Sequence, residues 1–133
     1  MSIDLRASYR LQLRPGFGFK EAAAKADYLS DLGISHLYSS PYLQAAPGST
    51  HGYDIVNPHQ VNLELGGPEA HARFCQTLGR YGLGQVLDIV PNHMAITGPE
   101  NPWWWDVLEN GPSSRYAFYF DVDWGPPETE RNV

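Results

Sequence analysis

Apolar and polar residues alternate from Ser8 to Leu13, with Tyr9, Leu11 and Leu13 on one side and Ser8, Arg10 and Gln12 on the other. That two-residue period predicts a β-strand, and Arg14-Pro15-Gly16 predicts its end. From Phe19 the apolar positions Ala22, Ala23, Ala26, Leu29 and Leu32 follow helical spacing, so an amphipathic helix closed at Gly33 is expected. Ile34 to Ser39 predicts a short buried strand. Between Pro41 and Pro68, Gly, Pro, Ser, Thr and His accumulate without helical periodicity. A long loop is expected there, and a loop of that length inside a compact domain is usually functional or disordered. Pro68 followed by Ala72, Phe74, Cys75, Leu78 and Tyr81 predicts a second amphipathic helix, ended by Gly82 and Gly84. Val86 to Val90, apolar except for Asp88, predicts a third strand.

Strands separated by helix-length crossovers imply a parallel α/β sheet, because parallel neighbours need a long connection. Rossmann-like sheets and (β/α)8 TIM barrels both satisfy that order. Neither G-x-G-x-x-G after the first strand nor G-x-x-x-x-G-K-[ST] occurs, which weakens a phosphate-cradling nucleotide fold. In a barrel the chemistry gathers at the C-terminal ends of the strands. The polar residues here do follow strands: His51, Tyr53 and Asp54 after the second, Asn92 and His93 after the third. A barrel takes about 250 residues, so a chain of 133 is expected to hold the first three strands and two helices. It is read as truncated, since Glu130 to Val133 carry no helix cap or stop signal.

Charge and composition narrow the partners. A net charge of -6 opposes binding to phosphate backbones, which needs a basic face, so no nucleic-acid partner is expected. No stretch approaches the ~18 apolar residues of a membrane span, and the N-terminus lacks the apolar core of a secretory signal. A cytoplasmic chain with no membrane partner is inferred. The single cysteine, Cys75, admits no internal disulfide and is expected to be a buried thiol in a reducing compartment. Without H-E-x-x-H or paired cysteines, no metal and no cofactor are expected. Aromatics reach 13%, with Trp103, Trp104 and Trp105 consecutive; flat aromatic faces suit sugar rings, although they more often fill cores.

The most informative stretch is Asp88-Ile-Val-Pro-Asn92-His93, which puts a carboxylate in a strand and an amide and imidazole just past its end. Its companion is Thr50-His51-Gly52-Tyr53-Asp54 after the second strand. Together, in this order, they resemble the first signature region and the Gly-Tyr-Asp of the α-amylase family. Longer runs are similar to its maltooligosyl trehalose synthase branch: Tyr9 to Leu13, Leu37 to Pro41, Gly48 to Asp54, Asp88 to Met94, Trp103 to Gly111 and Tyr119 to Trp124.

That resemblance implies the N-terminal part of a (β/α)8 barrel. Residues 1–95 would hold its first three strands and two helices, and 96–133 the Trp-rich start of an insertion after the third strand. It implies a cytoplasmic enzyme of trehalose biosynthesis that rearranges the reducing-end α-1,4 linkage of a maltooligosaccharide substrate to α,α-1,1. Retention through a glycosyl-enzyme intermediate needs two carboxyls about 5 to 5.5 Å apart. By the family pattern both come from later strands, and no G-x-R-x-D occurs here. No catalytic carboxylate is therefore expected within the sequence; the isolated chain is expected to be inactive and to require the rest of the barrel.

What the chain would supply is one wall of the reacting-sugar site. The resemblance gives Tyr53 a stacking role beneath the sugar and has His93 donate a hydrogen bond to a sugar hydroxyl, against the plainer readings of loop packing and a satisfied histidine. His51 either touches substrate or braces its loop. Asp54, Asp88 and Asn92 are supports; Asp88 is expected to bond the arginine near the nucleophile, and Asn92 to make a structural hydrogen bond rather than ligate calcium. Trp103, Trp104 and Trp105 are candidate pocket aromatics, with core packing as the alternative. Glu100, Asp106, Glu109, Asp121, Asp123, Glu128 and Glu130 lie in loop-like or aromatic contexts, and most are read as solvated or local capping carboxylates. Two rival functions remain: another α-amylase family hydrolase or 4-α-glucanotransferase, and a non-catalytic fragment.

Overall fold

The computed structural model describes residues 4–125, so Glu128, Glu130 and the chain terminus lie outside the described residues. The chain divides into two compact units, one running to Ala95 and the other from Ile96.

The first unit is built on three parallel strands, β1 (Ser8–Leu11), β2 (His36–Ser39) and a third, Gly84–Leu87, in the order in which they occur along the chain. Ser8 pairs with His36 and His36 with Gly84; two residues on, Arg10 pairs with Tyr38 and Tyr38 with Val86. Side chains alternate across a strand, so Arg10, Tyr38 and Val86 share one face. Leu37 on the opposite face is fully buried.

Helices cover that apolar face. The segment expected as one helix is two: α1 (Phe19–Ala23) and α2 (Ala26–Asp31), separated by a turn at Ala24 and Lys25. Phe19, Ala22, Ala26 and Leu29 are nonetheless all buried in one core. The apolar spacing continues across the turn, which is why periodicity alone reads it as unbroken. Leu32, expected on the buried stripe, is exposed. The longer helix α3 (Gly67–Arg80) has Pro68 in its first turn and contributes Phe74 and Leu78 to the same core. Leu13, Leu65 and Leu83 complete it.

The expected long loop contains structure of its own. β3 (Leu43–Ala45) pairs antiparallel with β4 (Ile55–Val61), with register shifts on both sides of Gln44. A 3₁₀ turn follows over Leu63–Leu65. Pro58 and the polar run Asn57-Pro-His-Gln60 conceal β4 from a strand pattern; a two-stranded ladder tolerates proline because each strand has an unpaired edge.

The last strand of the sheet, β5 (Gly84–Leu87), begins and ends earlier than Val86 to Val90. Its partner β2 stops at Ser39, opposite Leu87. Asp88 consequently lies one residue beyond the strand rather than inside it.

The second unit holds α4 (Pro102–Asn110) and two 3₁₀ turns, Gly111–Ser113 and Ala117–Tyr119. The three tryptophans are thus helical, and so are Asp106 and Glu109, which the sequence left in loop-like or aromatic surroundings. Asn101 caps α4: fully buried, its side-chain oxygen accepts from the backbone amides of Trp103 at 3.1 Å and Trp104 at 3.2 Å, satisfying donors that a helix start leaves open.

Candidate functional site

At the C-terminal end of the parallel sheet, side chains from two strands and one loop meet on the carboxylate of Asp88, just past the third strand. Arg10 and Tyr38 stand in register on β1 and β2, and Asp88 follows β5 with the same alternation as Val86. Arg10 Nη1 donates to Asp88 Oδ2 at 2.9 Å, and Tyr53 Oη donates to the same oxygen at 2.6 Å. Tyr38 Oη adds a longer contact of 3.4 Å. Arg10 Nη2 also donates to Tyr53 Oη at 2.9 Å, and its guanidinium lies 4.5 Å from the centre of the Tyr38 ring. The phenol of Tyr53 is therefore held between a cation and an anion, an acceptor to one and a donor to the other.

Charge follows from this arrangement. Partial burial of Asp88 opposes its ionisation, but hydrogen bonds from Tyr53 and Arg10, the positive charge of Arg10 and the Tyr38 hydroxyl outweigh it and hold the carboxyl below its usual range. Donation to Asp88, with some desolvation, pushes the Tyr53 phenol above its ordinary value despite the opposing effect of Arg10. The site contains a stable carboxylate, a permanent cation and a neutral phenol.

The loop that carries Tyr53 is braced internally. Ser49 Oγ donates to the Asp54 carboxylate and accepts from the amide of Gly52 at 3.0 Å. The Asp54 carbonyl accepts from the Ala46 amide at 2.9 Å. Gly52 has φ +80, and a Cβ there would meet the Pro41 carbonyl oxygen at 2.4 Å, so both the conformation and the close approach require glycine. His51 Nδ1 accepts from the Tyr53 amide at 3.1 Å and lies 3.8 Å from Asp54. A nitrogen that accepts carries no proton, so the amide contact defines its state and the His51–Asp54 approach is not an ion pair. The His51 ring stacks beside that of Tyr53 at 6.0 Å.

His93 Nε2 is 3.0 Å from the Tyr53 carbonyl oxygen. Since that carbonyl only accepts, Nε2 is the donor and is occupied, which leaves Nδ1 as the other ring nitrogen. The Ala95 amide, two residues on, donates to the Ile55 carbonyl at 2.8 Å and fastens the post-strand segment to the Tyr53 loop.

Of the residues singled out from sequence, Tyr53, His93, His51, Asp54 and Asp88 converge here. Asn92 is exposed and lies outside the network. Arg10 and Tyr38 were not singled out; the alternation of β1 puts Arg10 opposite the apolar Tyr9 and Leu11, but that marks its face and not its partner. A concavity of about 680 Å3 lies elsewhere, bounded by Phe19, Leu65 and Phe74 with Lys20, Glu21 and Arg73. It contains none of these residues. Tyr53 and His93 form an open wall, not an enclosed pocket; 37% of Tyr53 is exposed.

In the second unit, consecutive helical residues point about 100° apart, so the three tryptophans diverge. Trp103 stacks on Tyr116 at 5.6 Å and meets Tyr119 edge-on at 5.2 Å; Trp104 contacts Phe120 at 5.1 Å; Trp105 is 43% exposed. Asp106 bonds the Ser114 hydroxyl and the Asn110 amide, and Asp123 accepts from the Gly125 amide, both local roles. Cys75, expected to be buried, is half-buried; its sulfur lies 3.4 Å from His71 Nε2 and 3.3 Å from Gln85 Nε2. No helix among the described residues is long and apolar enough to cross a membrane.

Comparison with known proteins gives a consistent result. A family profile described as alpha amylase, catalytic domain, matches residues 19–132. A Mycobacterium tuberculosis protein named as a maltooligosyl trehalose synthase is 50% identical over 130 residues, covering 93% of this chain and 17% of the relative. The intracellular maltogenic amylase of Bacillus subtilis is 36% identical over 98 residues, covering 74% of this chain and 16% of that protein. Among solved structures, the maltooligosyltrehalose synthase of Arthrobacter ramosus superposes with a TM-score of 0.86 at 46% identity, covering 89% of this chain and 16% of that one. The chain thus spans about a sixth of the length of the relatives it matches.

Proposed function

Because the chain belongs to the α-amylase catalytic-domain family, we propose that it forms the opening part of a maltooligosyl trehalose synthase, an intramolecular transglucosylase acting on maltooligosaccharides. The catalytic domain of this family is a (β/α)8 barrel, and the parallel β1-β2-β5 sheet with its helical crossovers is an N-terminal part of one. Among the described residues the outer edges of β1 and β5 are unpaired, and Leu87 and Ile89, at and just past the end of β5, are 50% and 68% exposed. Both features support further strands of the same barrel covering this sheet.

The choice of reaction is carried by one observation: half-identity to a synthase over 93% of the chain, against 36% over 74% for a maltogenic amylase. On this reading residues 1–95 belong to the barrel and 96–133 begin an insertion. The Tyr53 ring stacks on the reacting glucose with the face turned away from His51. His93 meets a sugar hydroxyl through Nδ1, because Nε2 is occupied by the Tyr53 carbonyl. His51, Asp54 and Ser49 brace the loop. All three donors on Asp88 converge on Oδ2, which leaves Oδ1 for a second arginine beside the nucleophile. The nucleophile and acid/base come from residues beyond this sequence. A cytoplasmic setting belongs to the same reading, and the free thiol of Cys75 is compatible with a reducing compartment.

The test is product analysis of the complete protein with maltopentaose. Non-reducing, trehalose-ended glucan is expected; free glucose and shorter reducing maltooligosaccharides as the only products would replace the proposal with a hydrolase.

A further inference from the structure

Two side chains from the polar face of the first strand and the residue just past it reach the loop that carries Tyr53. Arg10 Nη2 donates to Tyr53 Oη at 2.9 Å. Gln12 Nε2 sits between two backbone oxygens of the same loop, Thr50 O at 3.1 Å and His51 O at 3.3 Å. Arg10 therefore holds the tip of the tyrosine while Gln12 holds its backbone, from positions two residues apart. Arg10 is itself fixed by Asp88 at 2.9 Å and by the Tyr38 ring beside it. The phenol's other partner is Asp88, which the same guanidinium holds in place, so the direction of the ring depends on this clamp.

We propose that Arg10 and Gln12 are positioning residues that set the Tyr53 ring against the reacting sugar, making the first strand part of the sugar site without touching the sugar. This rests on the reading that Tyr53 carries the sugar. Arginine suits the position because its planar fork supplies two donors in fixed geometry, one for the carboxylate and one for the phenol. A lysine ammonium reaches one of them well and the other poorly.

The test uses the complete protein with maltopentaose and the variants Arg10→Met, Arg10→Lys, Gln12→Leu, Tyr53→Phe and the double variant Arg10→Met/Tyr53→Phe. A misplaced substrate-positioning group costs on the order of 100-fold. Arg10→Met is expected to lower kcat by roughly that factor while KM moves less than about threefold, because the ring is misdirected rather than removed. Arg10→Lys should recover part of the loss. The double variant should fall no further than the worse single variant, since both remove the same link. Multiplied losses in the double variant, or an unchanged kcat in Arg10→Met, would overturn the proposal.

Hydrogen exchange of residues 46–56 provides a readout that does not depend on activity. Arg10→Met and Gln12→Leu should speed exchange there and leave α3 unchanged; unaltered exchange overturns the clamp. If the unmodified protein turns over no glucan at all, the proposed function fails, and exchange still decides whether the clamp exists.

Discussion

The Tyr53 phenol donates a 2.6 Å hydrogen bond to the Asp88 carboxylate, joining the loop after the second parallel strand to the end of the third. With Arg10 on both partners, the contact favours the ionised carboxyl and holds it below its ordinary value of 3.8. The sign follows directly: a carboxyl depressed by folding contributes its full stabilisation above that ordinary value, and the contribution is lost as pH falls through the folded value. Arg10→Met and Tyr53→Phe should each raise the Asp88 pKa. A carboxyl-carbon NMR titration of the 133-residue chain reads this directly, and a value unmoved by both variants contradicts the network.

Gly52 should be intolerant of any side chain. Its positive φ already disfavours an L residue by about 1 to 2 kcal/mol, and the added Cβ meets backbone at Pro41, which has no flexible end to swing aside. Gly52→Ala is expected to displace Tyr53 and lower kcat of the complete protein about as far as Tyr53→Phe, whereas Gly79→Ala, with open space around it, should be silent. Kinetics of the two glycine variants side by side check this.

The parallel sheet and the site loop were legible because each rests on short-range pattern: alternation in Ser8 to Leu13, apolar spacing through α3, and two signature runs after strands. What stayed hidden depends on contacts distant in sequence. Arg10 and Asp88 are 78 residues apart, and nothing near Arg10 distinguishes it from an ordinary solvent-facing arginine. The β3-β4 ladder was hidden by Pro58 and the polar run Asn57-Pro-His-Gln60, and the break between α1 and α2 by apolar spacing that passes through it. The end of β5 is set by where β2 stops, which no local pattern in Val86 to Val90 reveals. No helix was expected over Trp103 to Trp105 because three aromatics in succession have no amphipathic period; Asn101 and Pro102, a cap followed by a first-turn proline, were the overlooked helix signal.

That cap yields a prediction for the second unit. Asn101→Ala should destabilise α4 by about 1 to 2 kcal/mol, while Asn101→Asp, which keeps an acceptor at the helix start, should cost less. Because Trp103 and Trp104 begin the helix, their near-ultraviolet circular dichroism should weaken in the alanine variant and persist in the aspartate one. Equal spectra in both would place the origin of the tryptophan order elsewhere.

The 133-residue chain by itself should turn over no maltopentaose. Asp88 and Asp54 are the carboxylates that flank Tyr53; one is committed to Arg10 and Tyr53 and the other to Ser49. Assay of the purified chain for glucose and for trehalose-ended product should read zero for both, and measurable turnover would turn one of these supporting carboxylates into a catalytic one.

The central claim is that Tyr53 forms the wall against which the reacting glucose lies. Replacing Tyr53 by Ala in the complete protein tests it most directly, with Tyr28→Ala, at an exposed tyrosine of α2 outside the network, as the control. Loss of a large apolar ring from a contact is worth on the order of 1.5 to 3 kcal/mol, or roughly 10- to 150-fold in rate. A fall of that size in kcat/KM for Tyr53→Ala with Tyr28→Ala unchanged is the predicted result; unchanged kcat/KM in Tyr53→Ala would contradict the account.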